Sequence, residues 1–340
     1  MDPNARYVTD KEEPLTSSPE RRVLITGGAG FLGVNAAIHL IKSGWYVTLL
    51  DNLSRPGTER NLRWVITRYP NRVTFIKEDV RNASALAEHV GKQDAVLHLA
   101  AQVAVTTSLV DPNTDFDVNA RGTLNVLEAV RLHNRQAPFV FASTNKVYGK
   151  LGKNSSACKE TQPLDFHSPY GCSKGAADQY VRDYARCFDM NTVVLRQSCI
   201  YGAHQYGTED QGWVAHFVHS ILKDRPLTIY GDSTQVRDLL DARDLSALYA
   251  LVIDKIAITR GEVYNVGGGT ENQRNLLEVI DQIGELTGRK PQFSFTDWRE
   301  GDQAYYVSDN TKAREQLGWE PKIDFDRGLH DLIAWAESID

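Results

Sequence analysis

The sequence predicts an α/β fold, a doubly wound parallel sheet joined to a smaller C-terminal domain that is discontinuous in the chain. Two observations predict the sheet. The apolar run Val23-Leu24-Ile25-Thr26 passes through the glycine turn Gly27-Gly28-Ala29-Gly30-Phe31-Leu32-Gly33 into a helical stretch from Val34 to Lys42. Strand-like runs then recur at Tyr46 to Leu50, Val73 to Lys77, Ala95 to Leu99, Phe139 to Ser143 and Thr192 to Arg196, with helical segments between them. That rhythm is the one βαβ units produce, and it gives a Rossmann-like architecture. A third observation makes the smaller domain discontinuous. A strand and glycine-rich turn, Glu262 to Gly268, returns late and is expected to complete the sheet. The expected partition is a disordered tail over 1–20, a dinucleotide-binding domain over 21–196 with 234–268 contributing, and a substrate domain made of 197–233 and 269–340.

The 340 residues, 41% hydrophobic and 24% charged, suffice for a sizeable core in one large or two closely joined domains. A net charge of -6 without a long Lys or Arg run argues against nucleic acid as the main partner, so cations for a phosphorylated ligand must be gathered locally. The four cysteines, Cys158, Cys172, Cys187 and Cys199, have no paired metal-binding spacing, and a reduced cytoplasmic chain without a metal site is expected. No apolar run is long enough to span a membrane. The N-terminal stretch, rich in charge, Pro and Ser, lacks the apolar core of a signal peptide and reads as the tail.

In chain order, Gly27, Gly30 and Gly33 have the spacing G-x-x-G-x-x-G, and the turn with Phe31 and Leu32 lets a pyrophosphate approach a helix N-terminus. The second strand ends at Asp51-Asn52, where a carboxylate can hydrogen-bond adenosine ribose hydroxyls; this favours NAD, while Arg55 keeps NADP open. Asp79-Val80 after the third strand is a candidate for the adenine amino group, and Leu99-Ala100-Ala101 after the fourth offers small residues beside a cofactor, followed by Gln102 toward the substrate. His98 reads as a packed histidine, since no second metal-binding side chain stands at a suitable spacing. Thr144, at the carboxyl end of its strand, faces the same crevice.

Ser168 suits an N-cap and Pro169 the first helical position, and Ala176, Ala177, Tyr180, Val181, Tyr184 and Ala185 continue an apolar stripe. Tyr170 and Lys174 then share one helix face. A free tyrosine, with a pKa of about 10, is a poor base at neutral pH, but a neighbouring ammonium stabilises its phenolate. The pair is therefore a candidate for taking a proton from an alcohol that Thr144 orients.

The glycine motif, Asp51, Asn119-Ala120-Arg121-Gly122-Thr123, Thr144 and Tyr170-x-x-x-Lys174 together resemble the extended short-chain dehydrogenase/reductase family, over nearly the whole chain. Ser143 to Gly149 (STNKVYG), Leu164 to Tyr180 (LDFHSPYGCSKGAADQY) and Asp210 to Val214 resemble its branch of CDP-sugar 2-epimerases in particular. The resemblance implies tightly bound NAD, a nucleotide-sugar substrate inverted at C2 through a 2-keto intermediate, and a homodimer or homotetramer. It implies that Tyr170 removes the sugar hydroxyl proton, that Lys174 holds the nicotinamide ribose and depresses the tyrosine pKa, and that Thr144 bonds the reacting oxygen. It further implies that Arg237 and Arg299 face the diphosphate, that Thr228 and Tyr230 lie along the base, and that Asn145 and Cys199 line the sugar site. Cys199 replaces the asparagine more usual there, and the segment from Lys150 to Gln162 is shorter than the branch leads one to expect. Dehydratases of the family carry an Asp-Glu pair after the threonine; Asn145-Lys146 stands there instead. A hexose 4-epimerase or a net dehydrogenase/reductase has the same Thr, Tyr and Lys, so both remain open. A non-catalytic NAD-binding scaffold would not need all three. Leu124 to Leu132 and Ala176 to Phe188, apolar on more than a narrow stripe, are the candidate subunit interface.

Overall fold

The computed structural model describes residues 20–152, 156–299 and 301–339. The stretch read as an N-terminal tail lies outside them apart from Glu20, as do residues 153–155 of the short segment after Lys150.

The first half of the chain alternates as its pattern predicts. Strands β1 (Arg22–Thr26), β2 (Tyr46–Asp51) and β3 (Val73–Lys77) are followed by helices α1 (Phe31–Lys42), α2 (Thr58–Arg68) and α3 (Ala83–Val90). Strand β4 (Ala95–His98) leads into α4 (Val105–Val110), α5 (Pro112–Phe116), a π-helical turn at Asp117–Arg121 and α6 (Gly122–His133). Strand β5 (Phe139–Thr144) leads through a 3-10 turn, Asn145–Tyr148, to α7 (Ser168–Cys187), and then β6 (Thr192–Gln197) and β7 (Cys199–Tyr201). The remainder runs α8 (Trp213–Leu222), β8 (Leu227–Tyr230), β9 (Val236–Asp241), α9 (Ala242–Asp254), α10 (Ile256–Thr259), β10 (Val263–Val266), β11 (Gln273–Asn275), α11 (Leu276–Thr287), β12 (Phe293–Thr296), β13 (Tyr305–Tyr306), α12 (Thr311–Leu317) and α13 (Phe325–Ile339).

Seven strands form one parallel sheet in the order β3-β2-β1-β4-β5-β6-β10. The order reverses between β1 and β4, which opens a crevice beyond their carboxyl ends. Strands of a sheet covered on both faces read as continuous apolar runs, and Val23, Leu24 and Ile25 of β1 have no exposure at all. On one face Val34, Ala37 and Leu40 of α1 pack with Leu245, Leu248 and Val252 of α9; on the other Leu86, Val126, Leu127, Val130, Ala177 and Val181 come from α3, α6 and α7. Cutting one of these leucines to alanine would cost about 2–5 kcal/mol.

The smaller unit has its own core, in which Val214 and Val218 of α8, Ile280 and Ile283 of α11, and Leu329 and Leu332 of α13 meet Ile229 and Leu239. Strand β9 is its hub, pairing with β7, β11 and β13, while β8 pairs with β12. Helix α11 starts with a reciprocal capping box, Asn275 with Glu278, and stops at Gly288, whose φ of +67° ends the turn. The chain visits this unit with β7 to β9, returns to the main sheet with α9 and β10, where Val263 aligns with Val194, and leaves again at β11.

Candidate active site

The crevice beyond β1 and β4 is built by the glycine turn. Gly27 has a φ of +67°, and a Cβ there would lie 2.8 Å from the Ala100 nitrogen, so only glycine lets β4's exit pass so close. A Cβ on Gly33 would lie 2.4 Å from the Gly27 carbonyl, which locks the helix onto the turn. Helix α1 begins at Phe31 and Leu32, three residues earlier than its apolar pattern suggests, with Gly30 as a cap that offers no side chain and no acidic residue in its first turn. Its leading N–H groups and positive dipole end therefore face the crevice.

Asp51, at the end of β2, accepts the N–H of Ala29 at 3.0 Å and of Leu53 at 2.8 Å; burial raises its carboxyl above the ordinary range against the pull of these bonds. Asn52 donates to Asp79 at 2.8 Å, and Arg81 grips Asp79 at 2.7 Å, a bond that holds this carboxyl down at about 2. Val80 is buried beside Gly122. Leu99 and Ala100 donate to the Thr26 carbonyl and hydroxyl, which carries Ala101 past the turn. An uncapped helix N-terminus beside a bare glycine turn fits a pyrophosphate, and the carboxylate one strand over, with lone pairs beyond its two N–H bonds, fits ribose hydroxyls. His98 is the packed histidine its surroundings suggest: fully buried, bonded to Thr26 and Thr123, and kept neutral by burial, which lowers it to about 3.

Thr144 ends β5, and Tyr170 enters from the first turn of α7. The helix opens one residue earlier than expected, with His167 rather than Ser168 in the cap position and Ser168 as its first residue; Ser168, in the left-handed region at φ +63°, accepts the N–H of Gly171 at 3.3 Å. The Tyr170 phenol and the Thr144 hydroxyl are hydrogen-bonded and both side chains are buried.

The expected effect of Lys174 needs correction. Its ammonium donates to the Ala142 carbonyl at 2.6 Å and lies 4.2 Å above the Phe141 ring, so it is turned toward β5. Burial lowers Lys174 to about 7 and pushes Tyr170 up to about 12; the groups that oppose the rise in Tyr170 are Thr144 and the Arg55 guanidinium, while the Asp115 carboxylate adds to it. Sharing a helix face sets only the starting point of a long side chain. A buried ammonium reaches for the nearest uncommitted carbonyl, here one strand away.

Two networks that sequence reasoning missed hold this pair. Asp115 accepts Ser173 at 2.5 Å, and Asn119, buried in the π-helical turn, donates to Ser173 at 3.1 Å and to the Gln102 carbonyl at 3.0 Å. Gln102, expected to face the substrate, is folded into this knot, with its amide donating to Asp115 at 2.9 Å and to Ala104 at 2.8 Å. Behind Thr144, Arg196 makes a two-pronged pair with Asp178, both bonds 2.9 Å, and Ser143 donates to the same carboxylate at 2.7 Å. Asp178 stands one turn beyond Lys174 on α7, and that spacing is the signal the sequence did carry.

The residues read as substrate contacts fall into two groups. Inward, Arg237 donates to Asp302 at 2.8 Å and to the Gln303 carbonyl, and Lys146 approaches the same Asp302 oxygen at 3.5 Å. Asn145 donates to Gln303 at 3.2 Å, and the Cys199 thiol lies in the field of Arg237 and Lys146, its pKa raised by burial. Outward, Arg299 stacks 3.6 Å over the Tyr230 ring and donates to the Glu209 carbonyl at 2.9 Å, while the Tyr230 hydroxyl donates to the Glu209 carboxylate at 2.5 Å. Thr228, two residues before Tyr230 on β8, pairs in register with Ser294. The segment from Trp298 to Gln303 links the two groups, carrying Arg299 at one end and Asp302 at the other.

The chain matches the GDP-mannose 4,6 dehydratase family over residues 24–332. It is 40% identical over 339 residues to CDP-paratose 2-epimerase of Salmonella typhi, covering 94% of this chain and 100% of that protein. It is 34% identical over 320 residues to dTDP-glucose 4,6-dehydratase of Mycolicibacterium smegmatis, covering 92% of each. Among solved structures, UDP-glucuronic acid 4-epimerase from Bacillus cereus, in complex with UDP-glucuronic acid and NAD, is similar with a TM-score of 0.85 at 29% identity, covering 94% of this chain and 100% of that one.

Proposed function

The chain belongs to the GDP-mannose 4,6 dehydratase family of extended short-chain dehydrogenase/reductases, and from that membership we propose an epimerase that inverts C2 of a CDP-activated hexose or deoxyhexose through a transient 2-keto sugar. It is an NAD-dependent enzyme of nucleotide sugars. The observation that carries the finer reading is the buried Tyr170–Thr144 hydroxyl pair, followed by an amide and an ammonium, Asn145 and Lys146, where elimination of water would call for a carboxylic acid. The 40% identity over the full length of a CDP-sugar 2-epimerase supports the choice of carbon and base.

Gly27, Gly30, Phe31, Leu32 and Gly33 hold the cofactor's pyrophosphate, Asp51 and Asn52 a ribose, Asp79 and Val80 the adenine, and Leu99 to Ala101 pack against it. When bound, NAD supplies a reversible two-electron acceptor beside the sugar. Tyr170 takes the hydroxyl proton as the alcohol becomes a ketone and returns one as the alcohol re-forms; Thr144 fixes the oxygen between them. Burial holds the resting phenol up at about 12, so Tyr170 acts as the base only as the phenolate, after its own proton has left to solvent, and the Thr144 hydrogen bond and the Arg55 guanidinium are what favour that form. Lys174 holds the nicotinamide ribose. Inversion requires the ketone to present its other face while the nucleotide stays fixed, and Arg237, Arg299, Tyr230 and Thr228 supply that anchorage. The exposed faces of α6 and α7, with Leu132 61% and Tyr180 49% exposed, form the contact of a homodimer or homotetramer. The four free cysteines support a cytoplasmic setting.

The test is proton NMR of purified protein with CDP-hexoses and CDP-deoxyhexoses and no added cofactor. A new C2 epimer is the expected product. A C4 epimer would replace the reading with hexose 4-epimerisation, and conversion that needs stoichiometric NAD would replace it with a net dehydrogenase.

A further inference from the structure

We propose that Lys146 is a specificity-determining residue that holds the sugar-linked β-phosphate against the catalytic hydroxyls, and that this placement is what presents C2 of the sugar. The inference rests on the C2 reading of the site. Lys146 stands in the 3-10 turn that follows Thr144, and its backbone N–H donates to the Thr144 hydroxyl at 3.2 Å. The side chain, 20% exposed, points away from solvent to the Gly301 carbonyl at 3.4 Å and to the Asp302 oxygen that Arg237 also contacts. Two cations therefore share one carboxylate oxygen, and their nitrogens are close enough to share one phosphoryl group. The cluster keeps a net positive charge, with the Cys199 thiol beside it and burial working against the ammonium. A buried excess of positive charge next to a catalytic hydroxyl is stabilised by an arriving anion.

The regiochemistry follows from the sugar. C2 is bonded to the anomeric carbon that carries the diphosphate, whereas C4 lies across the ring from it. An enzyme that oxidises C2 must bring the phosphate up to its tyrosine, and one that oxidises C4 must keep it a ring away. Arg237 reaches the phosphate from the far wall; Lys146, two residues from Thr144, reaches it from the catalytic wall.

Calorimetric titration of the purified, NAD-loaded protein with CDP and with CMP separates the β-phosphate from the rest of the nucleotide. Lys146→Met is expected to weaken CDP at least tenfold and to leave CMP within twofold, and to raise KM for the epimerised sugar by a similar factor. Asp302 keeps Arg237 as partner in this variant, and an unchanged CMP affinity shows that the fold survives. Lys146→Arg should recover most of the CDP affinity. Equal losses for CDP and CMP, or no loss for either, would overturn the proposal. Titrating UDP with UMP and dTDP with dTMP in parallel frees the outcome from the identity of the base. A parent enzyme that inverted C4 would remove the proposed function, and the paired titration would still decide whether Lys146 grips the phosphate.

Discussion

The two ends of the substrate crevice are built differently. Around Tyr170, Thr144 and Lys174 the side chains of Asp115, Asn119, Ser143, Ser173 and Asp178 are buried and tied to one another or to their neighbours, and the Asp178–Arg196 pair beneath them is 0% and 2% exposed. Around Tyr230 the ion pairs are wet, with Arg299 22%, Glu209 46% and Asp210 51% exposed. A reaction that moves a proton gains from groups fixed in a low-dielectric setting, where each charge counts for more. A grip on a nucleotide has to open and close, and solvent-exposed charges let it do so at little cost, since each exposed pair is worth about 0–1 kcal/mol.

Substitutions at the dry end should therefore act on turnover and folding, and those at the wet end on binding. The largest expected effect is that of Tyr170→Phe, which removes the proton acceptor and should slow turnover about 10²–10⁴-fold with NAD content and fold intact, as read by NMR turnover and circular dichroism. Next, Asp178→Asn leaves the Arg196 guanidinium buried beside a neutral amide and should cost about 3–5 kcal/mol in urea unfolding; a loss under 1 kcal/mol would show that the dry end tolerates unpaired charge. Lys174→Met probes the same end through pH. With its folded pKa at about 7, below the unfolded value, Lys174 is buried charged at low pH and sheds a proton on folding above pH 7. The penalty it imposes is full below pH 7 and fades toward pH 10, so the stability advantage of the methionine variant should shrink over that range. Arg299→Ala, at the wet end, should raise KM about tenfold through a lost charged contact and leave kcat within twofold; a kcat loss equal to that of Tyr170→Phe would erase the distinction.

The dry end was legible where its signal is local. The glycine spacing, the Asp51 strand end, Thr144 and the Tyr170–Lys174 face are all coded within a few residues, and so were the strands, because burial on both faces writes itself as apolar runs. What the sequence did not show depends on partners far apart. Asp115 meets Ser173 across 58 residues, and Arg237 meets Asp302 across 65. Those meetings follow from topology, as does the choice of Lys174 for a carbonyl on the neighbouring strand over the phenol on its own helix. Gln102, expected to face the substrate, shows the same limit: Asp115 and the Ala104 backbone claim its side chain, while Asn119 holds its backbone.

The late return of β10 means that the larger unit cannot be finished by its own contiguous stretch of chain. β6 receives its outer neighbour from residues made only after β7 to β9, and Asn265 bonds the Tyr148 hydroxyl across 117 residues, next to the arginine that steadies Asp178. During synthesis β6 therefore waits as an open sheet edge, a surface prone to pairing with other chains, until the smaller unit has begun to emerge. A fragment stopped at Gln197 would keep the whole glycine turn and both catalytic hydroxyls and still lack the strand that closes the sheet beside them. The two units are thus interleaved along one chain, and the larger is completed only by residues that follow the first visit to the smaller.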